Sequence, residues 1–219
     1  MKQDWFQRDW FEAWIDLNLD NLSKYANTLE GPLNSKLKSL KSWIEKEASK
    51  ITKEEQENFC ELYTYNYNQL SRIFPNILRS SLFVMHYAFL ENQLVNLCES
   101  LHKWLNYRKE FTGTHIQGKG IFKARNYMKK VGNINFPDQK PSWDNIVSYN
   151  YIRNFIMHNG GKLDNSKRAE KVKSFMNARP SISLDHLENI QFSKSFCPEV
   201  NNTLRSFFHD LFKVLPQLG

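Results

Sequence analysis

Cysteine, glycine and proline are all scarce in this chain, and each shortage removes a class of answer. The three cysteines in 219 residues, Cys60, Cys98 and Cys197, are odd in number, far apart and never in a Cys-x-x-Cys pair. Neither a disulfide framework nor a zinc site is expected from them, and a reducing compartment, the cytoplasm, fits best. Eight glycines and seven prolines are too few for an all-β sandwich or a disordered linker protein. Long apolar runs are missing as well. The longest, from Ser81 to Leu90, is interrupted by His86, and the first residues carry no apolar stretch, so no membrane span and no signal peptide are expected. No cluster of acidic, His or Cys residues has metal-ligand spacing, so no metal and no other cofactor is expected.

What the chain has in quantity is aromatic surface and basic charge. Sixteen Phe, nine Tyr and six Trp within a 41% hydrophobic composition suffice for one domain with an aromatic core and an appended helical piece. The net charge is +7. Its distribution says more: residues 111 to 180 hold thirteen Lys or Arg against four Asp or Glu, an excess of nine that leaves the rest slightly acidic. Such a concentration suits a groove for a polyanion and equally suits a solvated basic face.

Apolar spacing predicts helices almost throughout. Trp10, Trp14, Leu17, Leu22, Tyr25, Ala26 and Leu29 mark one helix that Gly31-Pro32 should end, and a second pattern runs from Leu33 to Phe74 with an interruption near Ser49 to Thr52. Residues 1–74 therefore read as an N-terminal helical hairpin, and 75–219 as the main helical domain. Pro75 should break the chain, with Asn76 as the next N-cap. The stripe that follows, Phe83, Tyr87, Leu90, Leu94, Leu97, Leu101 and Trp104, is a core or interface helix. His86 and Glu91 lie on or beside that stripe, where a carboxylate needs a partner; an Arg or Tyr hydroxyls would supply one. Gly113 to Gly120 nearly matches a phosphate-binding loop, but Gly120 replaces the hydroxyl residue and no strand precedes it. A short basic helix over 121–130 and a connector over 133–142 come next. Ser142 is the expected N-cap of a helix over 143–158. A polar helix over 166–178, a small β-hairpin (Ile182 and Leu184 with Ile190 and Phe192) and a last helix opened by Pro198 complete an all-α chain.

One string carries chemistry: Arg153-Asn154-Phe155-Ile156-Met157-His158-Asn159-Gly160-Gly161. It sets a fixed cation, an amide and an imidazole at the end of a helix that two glycines stop. The helix C-terminus favours the imidazolium, which suits proton transfer in either direction. Asn154 and His158 stack at i, i+4, so Asn154 could hold the imidazole in one tautomer. Arg153, five residues before His158, lies well around the helix. One straight helix does not converge the two, so either the Arg side chain wraps round or two copies of the helix meet across a two-fold axis.

With the Arg-x4-His string, its polar second position, the following Asn-Gly-Gly, the earlier Phe89-Leu90-Glu91 and the segment from Gly120 to Lys129 in place, residues 76–215 resemble the HEPN superfamily of small helical domains. That resemblance implies an up-and-down helical bundle, here with the added hairpin before it. It also implies a homodimer that cleaves RNA without metal, with Arg153, His158 and Asn154 as catalytic residues and Glu91, His86 and Asn159 in support. Lys119, Lys123, Lys162 and Lys167 would track the RNA backbone. Members of this kind often act as toxins or in defence against phage, which implies a regulatory or antitoxin partner. Gly160 stands where one toxin branch carries a Tyr, which argues against that branch. Two other readings remain open: an RNA- or nucleotide-binding module that does not cut, and an assembly module in which Arg153 and His158 cap the helix and pair with Glu91.

Overall fold

The computed structural model describes residues 8–104 and 116–216. The chain is mostly helical, with one two-stranded antiparallel sheet. Helix α1 spans Arg8–Ala48, α2 Lys53–Asn68, α3 Phe74–Trp104, α4 Gly120–Lys130, α5 Pro141–Asn159, α6 Lys167–Met176 and α7 Phe196–Val214. Strands β1 (Ile182–Leu184) and β2 (Ile190–Phe192) lie between α6 and α7 and form the expected hairpin, with Ile182 opposite Phe192 and Leu184 opposite Ile190. Among the described residues no helix is long and apolar enough to cross a membrane.

Both prolines expected to end helices are absorbed. Helix α1 continues through Pro32 for 41 residues, about 60 Å. Gly31 has no Cβ to collide with the proline ring, and both residues are exposed, so water reaches the carbonyl that loses its donor. The reversal of the N-terminal hairpin therefore falls at Ser49–Thr52, not at Gly31-Pro32. Glu55 starts α2 by accepting the Thr52 N–H at 3.0 Å and its hydroxyl at 2.8 Å. At Pro75 the backbone widens instead of breaking. Gln69–Ile73 forms a π turn in which the Phe74 N–H bonds Gln69 O, one residue beyond α spacing, and the looser turn accommodates the ring. Asn76 is accordingly no N-cap. Inside the helix, its Nδ2 donates to Ile190 O at 3.0 Å and its Oδ1 accepts the Phe192 N–H at 2.9 Å, fastening the hairpin to α3.

The first half of α1 packs on α3 and α7, burying Ile15 and Leu19 in the main core. Its second half pairs with α2, where Trp43 meets Tyr63 edge-on at 4.9 Å and no residue of α2 is fully buried. These two stretches form an arm beyond the bundle. In the bundle, α3, α5 and α7 surround an aromatic core. Phe192 stacks on Phe196 at 4.3 Å, Phe83 lies edge-on to Tyr149 at 5.8 Å, and Phe136 meets Trp143 at 4.9 Å. The Arg79 guanidinium joins α1 to this core by a two-bond grip on the Glu30 carboxylate, at 2.6 and 2.9 Å, while donating to Phe192 O at 2.9 Å.

Candidate functional site: the C-terminal turns of α5

Helix α5 opens at Pro141, whose missing N–H is harmless at the first position. Ser142 is therefore within the first turn, not the N-cap, which is Lys140. The Ser142 hydroxyl is buried without a hydrogen-bond partner among the described residues. Ile146, Tyr149, Ile152 and Phe155 turn inward. The helix ends as the two glycines require: Gly160 and Gly161 have φ of +62° and +87°, and the Gly161 N–H closes on Phe155 O at 3.0 Å. The chain then runs beside the hairpin, Gly161 O accepting the Ile190 N–H at 2.9 Å.

Arg153 and His158 diverge, as their spacing implies. Arg153 faces α3. Its Nη1 donates to Asn154 Oδ1 at 3.1 Å, its Nη2 stands 4.0 Å from Glu91 Oε2, and its guanidinium lies 6.0 Å from the Tyr87 ring. A carboxamide chain continues the network: Asn154 Nδ2 donates to Asn150 Oδ1 at 3.0 Å and Asn150 Nδ2 to the Tyr87 hydroxyl at 2.6 Å. Asn154 is thus committed to Arg153 and Asn150, and it does not bond the His158 imidazole. Burial raises the Glu91 carboxyl above its ordinary range, against the opposing pull of Arg153. Burial and the nearby Glu91 charge likewise raise the Tyr87 phenol. Glu91 also leans on Gly120, where an added Cβ would come within 2.5 Å of its Oε1.

His158 is exposed and has no hydrogen bond among the described residues. It lines an open cleft of 390 Å³ together with Tyr151, Asn154, Asn159, Lys167 and Arg168. The opposite wall is the start of α6, where the Ser166 hydroxyl accepts the Ala169 N–H at 3.3 Å. Hydrogen bonds from the Ser166 side chain and backbone hold the Asp164 carboxyl below its ordinary range, so the cleft carries a carboxylate beside its two cations. Lys171 sits 5.3 Å over the Tyr151 ring on the same side.

Of the lysines expected to track RNA, only Lys167 lines this cleft. Lys119 is the N-cap of α4, beside Gly120 and hence near Glu91, and Lys123 is half-buried on α4. Lys162 is exposed opposite Asn189 of the hairpin. His86 belongs to neither group. It is 1% exposed between α1, α3 and α7. Its Nδ1 lies 2.8 Å from Leu82 O, and Asn201 Nδ2 approaches its Nε2 at 3.3 Å. Because the amide can only donate, Nε2 must accept and Nδ1 carries the proton, the neutral tautomer. Burial lowers the His86 pKa accordingly, and support for His158 is not its role.

Two contributors were not singled out in the sequence. Asn150, four residues before Asn154, was legible from helical spacing, and Arg168 was hidden in the general basic excess. Among the described residues no group of three or more His, Cys, Asp or Glu side chains is placed to hold a metal ion. No protein-family model, curated protein or solved structure matches the chain.

Proposed function

We propose that this chain is an endoribonuclease of the HEPN type whose site is completed by a second copy of itself. The observation that carries the reading is the separation of the two motif residues: an unpartnered imidazole stands in an open basic cleft, while the motif arginine faces α3 and is held only loosely by Glu91 at 4.0 Å. A two-fold pairing brings one chain's Arg153 toward the other's His158. The exposed face of α3 supports such a pairing. Between Arg79 and Glu91 it carries no charge, and it presents Met85 at 45% exposure beside Ser81 and Ala88, while Met157 at 53% adjoins His158.

In this reading His158 takes the proton from an RNA 2′-hydroxyl. The 2′-oxygen then bonds to phosphorus as the bond to the 5′-oxygen breaks, and the second copy's imidazole protonates that leaving oxygen. The products are a 2′,3′-cyclic phosphate and a 5′-hydroxyl. Arg153 turns from Glu91 to the phosphorane, where a preorganised donor is worth about 3–4 kcal/mol. Lys167 and Arg168 hold the flanking phosphates. The internal bonding of Arg153 and Asn154 favours a second reading, a non-cutting RNA-binding or assembly module.

Incubation with labelled tRNA and total RNA in excess chelator, beside His158→Ala and Arg153→Ala, separates the two. Cyclic-phosphate ends that vanish in both variants support the nuclease. Salt-sensitive RNA binding without cleavage supports the module instead.

A further inference from the structure

A second cleft begins one residue beyond the first. Asn159 lines the His158 cleft, whereas Gly160 lines a cavity of 380 Å³ where the π turn, the start of α3 and strand β2 meet. Its walls include Asn68, Arg72, Ile73, Ile77 and Gln191.

Arg72 comes from the π turn itself. It is exposed and makes no hydrogen bond or ion pair among the described residues, whereas Arg79, Arg125, Arg179 and Arg205 each hold a carboxylate. The one acid in the cavity is already consumed: Asp185 Oδ1 accepts the Leu187 and Asn189 N–H groups, both at 2.9 Å, and its Oδ2 accepts Gln191 Nε2 at 3.3 Å. That last bond fixes the Gln191 carboxamide and leaves its oxygen as a free acceptor. The Asn68 carboxamide is exposed and makes no hydrogen bond among the described residues. Ile73 and Ile77, 46% and 59% exposed, add an aliphatic wall. A free guanidinium, an unbonded carboxamide, the open carboxamide oxygen of Gln191 and an apolar wall in one cavity complement a nucleotide: its phosphate, its base edge and its base face.

We propose that this cavity holds one nucleotide of the RNA strand that passes His158, with Arg72 on the phosphate and Gln191 and Asn68 on the base edge. The assignment of the strand rests on the ribonuclease reading; the nucleotide chemistry of the cavity does not. It gives the enzyme a base preference set away from the reacting phosphate, and it gives the π turn forced by Pro75 a ligand-holding role.

The test titrates the full chain with each nucleoside 5′-monophosphate, and measures binding of a labelled RNA 20-mer in the non-cutting His158→Ala background. Arg72→Ala is expected to weaken both at least about tenfold, more than a screened surface charge gives. Gln191→Ala should alter the ranking of the four bases, and His158→Ala should leave monophosphate affinity within about twofold. Unchanged melting of Arg72→Ala shows that folding is intact. Absence of monophosphate binding up to millimolar concentration overturns the proposal, as does binding that depends on His158 and not Arg72. Loss of monophosphate binding with RNA binding unchanged also overturns it, because the cavity then serves a free nucleotide. Arg72-dependent RNA binding by a wild-type chain that cuts nothing upholds the cavity and refutes the ribonuclease reading.

Discussion

Arg79 ties the middle of α1 to the bundle, and its removal gives a direct test of the fold. The Glu30 side chain is 7% exposed and Arg79 16%, unlike the surface pair Lys50–Glu47 at 55% and 31%. Arg79→Ala strands the Glu30 charge in a protein interior and also removes the donor to Phe192 O. Breaking one side of a buried pair costs about 3–5 kcal/mol. At 2–4 °C per kcal/mol for a chain of this size, the midpoint should fall by about 6–20 °C. The double variant Glu30→Leu/Arg79→Leu should recover most of that loss, because no unpaired charge is then buried. Urea unfolding followed by circular dichroism and by tryptophan emission gives both numbers. A loss under about 1 kcal/mol for Arg79→Ala, or two separate transitions in the unaltered protein, would refute the reasoning.

Further outcomes follow from single positions. His86 is held neutral, so the folded chain refuses a proton that the unfolded chain accepts below its ordinary value of 6.5. Stability is therefore full above that pH and falls as the pH drops beneath it, and His86→Gln should flatten this part of a stability–pH curve. Glu91 acts with the opposite sign. Its raised pKa means that stability is lost as the pH rises from 4.5 through the folded value, a slope that Glu91→Gln should remove. Gly120→Ala meets both a φ of +52° and the Glu91 carboxylate; the φ strain alone should cost about 1–2 kcal/mol, and displacing the carboxylate adds to it. In Gly120→Ala/Glu91→Ala the φ strain alone should persist, a difference that chemical denaturation resolves.

The helices after residue 116, the small hairpin and the glycine stop after His158 were legible in the sequence, because each is set by residues within a few positions of one another. Gly160 and Gly161 adopt left-handed backbone wherever they end a helix, and the alternation of Ile182, Leu184, Ile190 and Phe192 permits only one buried face. The divergence of Arg153 from His158 was legible for the same reason, since five residues on a helix fix an angle. What only the tertiary structure decided is which local rule gives way. Pro32 and Pro75 disrupt most helices, but an exposed Gly31-Pro32 step and a π turn at residues 69–73 absorb them here. The long-range partners of polar groups were equally out of reach. Asn76 turned to Ile190 and Phe192, His86 to Asn201 at a separation of 115 residues, and Arg72 to a cavity walled by three separate stretches of the chain. Periodicity states which face a residue occupies; only the folded chain states which other segment faces it, because that depends on burial summed over elements distant in sequence.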